Sequence, residues 1–348
     1  MPAFKIVRRL LLVGVLLLVA AALALPLLFD PNAFKGELTK LVREKTGREL
    51  TITGPIDLSV FPWLAVEVQG VRLGNAPGFG IQPFAEAKEV KVGVRLLPLL
   101  RREVEVSSVT LEGLSLHLAR NRAGVANWED LNGGGGPPEK PATKPAAPPA
   151  AAPLAALRLG GVQVEDASIE WRDALRGVRY AVQDLDLEVG RVEPGEPFDL
   201  RLQGKVTASR PTLQGRFSLT GRMRIDATLA RIEVASLALE TDLSGKGLPG
   251  GKLDAELGLE ATLDRAAGTL TMPRFSLAAL DLRVAGNLEG KGLNANRPEF
   301  SGHLKADEFV PREVLAKLGV TLPPLRDPAV LSKADLEAGF TATPASLA

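Results

Sequence analysis

Hydrophobic and polar positions along this chain follow three periods in turn. Leu10 to Phe29 has no period at all, being twenty residues without a charge. About 20 apolar residues at 1.5 Å rise cross a bilayer core of roughly 30 Å. From Asp30 the period is helical: Asp30 and Pro31 read as an N-cap with proline in the first turn. Phe34, Leu38, Leu41 and Val42 then fall on one helical face, and Gly47 is placed to end it. From Arg48 the period becomes two. Ile56, Leu58 and Val60 alternate with polar residues, as do Leu64, Val66 and Val68, then Val90, Val92, Val94 and Leu96. The phase shifts near Ser107 and again near Gly113, which predicts bulges or strand breaks before Leu114, Leu116 and Leu118. Such segments are strands with one apolar and one wet face.

Alternation resumes at Leu157 and continues through Leu187, Leu257 and Leu282, with Gly or Pro interrupting every dozen residues or so. The pattern predicts an antiparallel meander of about fourteen strands. A second short helix is expected from Pro311 to Leu318, and a last strand near Asp335–Thr341.

Organisation follows from these shifts. Residues 1–9 are a basic segment, 10–29 a membrane anchor, 30–131 a first helix-plus-strand domain, 132–153 a linker and 154–348 a continuing β-domain. Leu10, Leu16, Leu25 and Phe29 sample the anchor. Lys5, Arg8 and Arg9 precede it and orient the rest of the chain away from the cytoplasm. A cleaved signal peptide is the competing reading, because Ala22-Leu23-Ala24 is a small-x-small site. The apolar run is longer than the usual signal core and lacks a polar end, which favours an uncleaved anchor.

Composition removes several classes of function. Net charge is +1, which does not fit a nucleic-acid binder. There is no cysteine, so thiolate chemistry and disulfides are excluded, and only His117 and His303 are available to metals. The Gly133–Gly136 run lacks the strand, helix and Lys-Ser/Thr of a phosphate loop. Asp184 and Asp186 share a strand face without a third ligand, and His117 is expected to be solvated. Trp63 is expected at a turn, Trp128 on an edge strand, and Asn127 bonded within its own turn. No catalytic residue, cofactor or metal site is expected, and the chain is not read as an enzyme.

The many apolar strand faces must be buried, yet only two short helices are available to cover them. A sandwich, a closed barrel or an open trough filled by ligand would each serve. An outer-membrane barrel does not fit beside a helical anchor. Aromatics are only 5% of residues, and the rings that usually fill a sandwich are scarce. The expected fold is therefore mainly β, a long curled antiparallel meander forming an apolar groove. Its inward face would carry Leu58, Val60, Val66, Val68, Val92, Val94, Leu114, Leu116, Leu187, Leu257 and Leu282. The amphipathic helix either lies on lipid headgroups or stoppers one end of the groove, and its stripe fits both.

Several ordered motifs go beyond this pattern. Thr46-Gly47-Arg48, Ile52-Thr53-Gly54, Phe61-Pro62-Trp63, Asn75-Ala76-Pro77-Gly78-Phe79 and Asn127-Trp128-Glu129-Asp130-Leu131 occur in that order within the first domain. Together they resemble the N-terminal region of the AsmA family. Phe309 to Ala348 is similar to the stretch that opens the C-terminal half of its members. The resemblance implies an inner-membrane anchor, a periplasmic body and kinship with bridge-like lipid-transfer proteins. It implies a role in outer-membrane assembly and envelope lipid homeostasis, with phospholipid or another envelope lipid, the inner membrane and other envelope proteins as partners. It supplies no catalytic residue, and the alternative it leaves open is a scaffold for outer-membrane protein assembly. Family members usually continue well beyond the position of Ala348, which leaves two readings open, a truncated and a short member; about fourteen strands at ~4.8 Å spacing stack to ~65 Å, so bridging would need a partner or a further C-terminal region.

Overall fold

The computed structural model describes residues 30–59, 64–95, 106–132, 160–295, 298–323, 327 and 329–343. The expected anchor 10–29, with Leu10, Leu16, Leu25 and Phe29, lies outside them, as do Val60, Trp63 and most of the linker. No described helix is long and apolar enough to cross a membrane.

The protein is mainly β. A 3₁₀ turn at Pro31–Phe34 is capped by Asp30, whose carboxylate accepts from Asn32 N at 2.9 Å. It leads into helix α1, Lys35–Thr46, which ends at Gly47 with φ 70°. The first strands are β1 (Leu50–Ile52), β2 (Ile56–Ser59), β3 (Leu64–Leu73), β4 (Ala85–Val94), β5 (Val106–Glu112) and β6 (Ser115–Arg120). Beyond the linker come β7 (Val162–Asp173), β8 (Val178–Val189), β9 (Pro197–Ser209), β10 (Thr212–Ile225) and β11 (Arg231–Gly245). Then follow β12 (Lys252–Asp264), β13 (Thr269–Ala279), β14 (Leu282–Lys291), β15 (Glu299–Phe309), helix α2 (Pro311–Lys317) and β16 (Ala334–Ala342).

All sixteen strands join one sheet. Its main path runs β1-β3-β4-β5-β7 and then in sequence order to β16, with β2 on β3 and β6 between β4 and β7. The path is open, so the sheet is not a barrel. Among the described residues, extensive contacts between strands occur only between sheet neighbours. All the described strands belong to this one sheet, so among the described residues there is no second sheet to form a two-sheet sandwich.

The meander is antiparallel with one exception that the alternation did not predict. β5 and β6 run parallel to β7: Val109 lies opposite Val162, and Arg120 opposite Asp173. Parallel neighbours need a crossover of a dozen or more residues. Because Arg120 lies opposite Asp173, the connection must run back beside eleven residue steps of β7 to reach Val162, about 36 Å at ~3.3 Å each. The Gly/Pro/Ala-rich linker belongs to that return.

The predicted phase shifts have visible causes. Ser107 is the extra residue where Gly93 pairs with Ser108 and Val94 with Val106. Gly113, with φ 59°, separates β5 from β6. Further register shifts interrupt β7, β8, β10, β11, β12, β13 and β15. Each bulge bends and twists its strand, so the sheet coils as it extends.

The interior is thin. Eleven apolar side chains are buried among the described residues, and seven of them are alanines. None is a leucine, so the many leucines of the strands remain only half covered.

Candidate functional site

Antiparallel or parallel, directly opposed residues share one face of a sheet. That rule turns the register into a map. One row across the sheet reads Ile56, Val68, Val90, Leu111, Val164, Leu187, Leu202, Leu219, Leu239, Leu257, Leu277, Val284, Ala306 and Leu336. Fourteen consecutive neighbours are apolar, from β2 to β16. The adjacent row runs from Leu58 and Val66 through Val92, Val109, Val162, Val189, Leu200, Gly221, Leu237 and Leu259 to Phe275. Nothing charged interrupts either row.

The residues expected to face inward fall on this map as follows. Leu58, Val66, Val68, Val92, Val94, Leu116, Leu187, Leu257 and Leu282 all lie on the apolar face, each half-buried. Leu114 instead occupies the break between β5 and β6, where its carbonyl accepts from Ser168 N at 2.7 Å.

The scarce aromatic rings follow a rule of their own. Phe217 lies opposite Gly204, Phe275 opposite Gly286, Phe300 opposite Gly290 and Phe340 opposite Gly302. A Cβ added at any of these glycines would come within 3.0–3.2 Å of the ring opposite. Each phenylalanine thus covers the bare backbone of a neighbouring strand, the pairing known as aromatic rescue.

The other face is a ladder of cross-strand ion pairs. Directly opposed pairs are Arg72–Glu86 at 3.3 Å, Lys91–Glu67 at 3.6 Å, Arg201–Glu188 at 3.0 Å, Arg216–Asp242 at 3.2 Å, Arg224–Glu233 at 3.2 Å and Arg274–Glu260 at 2.6 Å. All are wet, and each contributes at most about 1 kcal/mol. Their joint effect is to keep this face in water and to penalise slipped registers.

A hollow of about 1260 Å³ opens on this charged face rather than the apolar one, lined by Asp184, Lys205, Arg216, Asp242 and Asp254 among others. Several of its charges are matched: Lys205 meets Asp184 at 2.5 Å, Arg216 meets Asp242, Lys252 meets Asp254 at 3.1 Å, and Lys317 pairs with Asp281. Asp307, Arg283 and the directly opposed Glu240 and Glu256 also line it. Asp186 accepts from Asp166 N and Gln203, and these bonds, the Gln203 one first, hold its carboxyl below the usual range. Among the described residues, no group of three His, Asp or Glu is placed to hold a metal. Among the described residues the hollow therefore offers partly matched charge and no metal ligand set.

A buried polar clasp is the feature that alternation did not reveal. Arg48, 2% exposed, follows α1 and reaches across 82 residues of sequence to Asp130. Its Nε donates to Oδ2 at 2.9 Å and Nη2 to Oδ1 at 2.5 Å, a bidentate pair. Nη2 also donates to the carbonyl of Asn127, and the guanidinium lies 4.4 Å from the centre of the Phe84 ring. The Arg48 bonds, with the nearby charge, hold the Asp130 carboxyl below the usual range.

Asn127 is completely buried. Its Nδ2 donates to His117 O at 2.8 Å and to Asn75 Oδ1 at 2.9 Å, and its Oδ1 accepts from Ala119 N at 2.9 Å. It therefore joins three segments, correcting the expectation of a bond within its own turn. His117 is corrected too: it is half-buried, and Nδ1 donates to Pro83 O at 3.0 Å. Trp128 packs against Trp171 of β7 with ring centroids 4.9 Å apart and planes tilted by 45°, so it covers an interior pairing and no edge. The motifs Thr46-Gly47-Arg48, Asn75-Ala76-Pro77 and Asn127–Leu131 thus meet at one place, 48 to 130 in sequence.

Fold and faces together define a mainly β protein with an open single sheet, apolar on one side from edge to edge and charged on the other. The AsmA family model matches residues 1–344, and the chain belongs to the AsmA family. It is similar to Protein AsmA of Escherichia coli (strain K12), being 23% identical over 279 residues. That match covers 80% of this chain and 43% of the relative, so the chain spans less than half the length of that relative.

Proposed function

We propose that this protein is an inner-membrane-anchored, periplasmic, non-enzymatic protein that holds lipid acyl chains along the apolar face of its sheet. One observation carries the reading: two adjacent uncharged rows cross the sheet, and among the described residues no second sheet is present to cover them. An amphipathic sheet left half covered is not stable against aggregation unless something apolar lies on it. A laid-down acyl chain gains about 0.8 kcal/mol for each methylene removed from water, and a smooth aliphatic track makes no demand for a particular headgroup. The hollow on the charged face is lined mainly by charged side chains, several of them ion-paired, which suits acyl chains poorly. Family membership supports an envelope role, with residues 10–29 as the anchor.

Photo-crosslinkers placed at Val94 and at Leu257 in the full chain, in cells, test this. Phospholipid adducts at both, and few at Glu188 on the charged face, are expected. Equal labelling at Glu188, or protein adducts alone at Val94 and Leu257, would replace the lipid reading with one of scaffolding for other envelope proteins. Val92→Asp and Leu116→Asp are expected to reduce co-purified lipid more than they reduce expression.

A further inference from the structure

Helix α1 carries an apolar stripe that the sheet does not use. At 100° per residue, Leu38 and Leu41 fall within one 60° sector. They are 39% and 51% exposed. The less exposed positions are Lys35, Thr39, Val42 and Thr46, which lie about a quarter turn away and face the sheet end. Lys35 Nζ donates to Gly54 O at 2.7 Å. In the preceding turn, Asn32 and Ile56 exchange two bonds, of 3.1 Å and 2.9 Å. The helix is thus fixed to β1 and to the loop before β2 through one side, and its preceding turn to β2, while its apolar side stands in solvent. A stopper for the sheet would turn that stripe inward, so the stopper reading does not fit.

We propose that this stripe docks on a lipid bilayer surface and thereby fixes the β2–β3 end of the sheet against the membrane. Phe34 lies only five residues past Phe29, the end of the uncharged run, which is at most about 17 Å of chain. The helix bears four basic residues, Lys35, Lys40, Arg43 and Lys45, against Glu37 and Glu44, and this balance favours anionic headgroups. The rigid attachment through Asn32, Lys35 and Arg48 means that orienting the helix also orients the first strands. The inference rests on reading residues 10–29 as an anchor.

The chain has no cysteine, so single spin labels are clean. Leu38→Cys, Leu41→Cys, Lys40→Cys, Glu44→Cys and, as an anchor reporter, Val15→Cys are each labelled in the full chain. The chains are reconstituted in vesicles containing one-third anionic phospholipid, and circular dichroism checks that the sheet is retained. Labels at 38 and 41 are expected about 5–10 Å into the headgroup and acyl boundary, open to oxygen and shielded from a water-soluble nickel complex. Labels at 40 and 44 are expected to be open to nickel. Nickel access at 38 and 41 equal to that at 40 and 44 overturns the proposal. Shielding of 38 and 41 from both reagents also overturns it, because protein then covers the stripe. A label at 15 open to nickel refutes the anchor alone, and the helix is still judged by its own labels.

Discussion

Residues 30–132 and residues 162–342 belong to one sheet, yet they are held together differently. The first region is built around particular buried polar groups: Arg48, Asn127 and Asp130 gather a helix end, a loop and a strand into one network. The second is a repeated device, in which a long strand pairs with its neighbour, apolar residues line one face and ion pairs line the other. A network that depends on a few groups is sensitive to the loss of one. A repeat spreads its stability over many small contacts, so single losses are expected to be minor except where backbones approach closely.

The comparison breaks most visibly at Arg48. Arg48→Ala leaves the Asn127 carbonyl and the Asp130 carboxylate without their partner, and is expected to cost about 3 kcal/mol. Amide exchange should rise across residues 117–130 while β10–β12 keep their protection. Uniform protection after the substitution would show that the clasp is dispensable.

The second region has its own weak points, where glycine sits under a ring. Gly286→Val places a Cβ 2.1 Å from the His303 carbonyl and against the Phe275 ring. The expected cost is about 2 kcal/mol, read as a lowered denaturation midpoint. No change there would mean that the sheet absorbs the insertion by shifting register.

Acid should loosen the clasp of the first region. The folded Asp130 carboxyl is held below its unfolded value by Arg48, so its contribution is fully present above the unfolded pKa. It is lost as pH falls through the folded pKa. Protection of the Ala119 and Asn127 amides, measured from pH 6 to pH 2, should fall in that lower window, and Asp130→Asn should remove the dependence. The smallest effect is expected at an exposed rung of the ladder: Arg216→Ala should change stability by less than about 0.5 kcal/mol in urea unfolding. A loss near that of Arg48→Ala would erase the distinction between the two regions.

Much of the second region could be read from single residues. Leu187, Leu257 and Leu282 were placed on one face because a half-buried strand repeats every two residues whatever its neighbours are. The same rule located the Ser107 bulge and the Gly113 break. It failed where information is not periodic. Alternation is blind to direction, so the parallel pairing of β5 and β6 with β7 was not visible in it. Asn127 and Arg48 stand 79 residues apart, and neither has a local pattern that announces the other. His117 appeared to be a solvated residue because its face was known and its neighbours Pro83 and Ser115 were not.

By itself, then, the order of residues determined the periods: an uncharged span, one amphipathic helix, and strands with one apolar and one wet face. These follow from local geometry, since a helix repeats in 3.6 residues and a strand in two. Tertiary structure alone decided which strands adjoin, that one apolar row lines up across fourteen of them without a charged interruption, and that the stripe of α1 faces away from the sheet. Those facts depend on register and on contacts between distant segments, and each is set by hydrogen bonds and burial summed over the whole sheet.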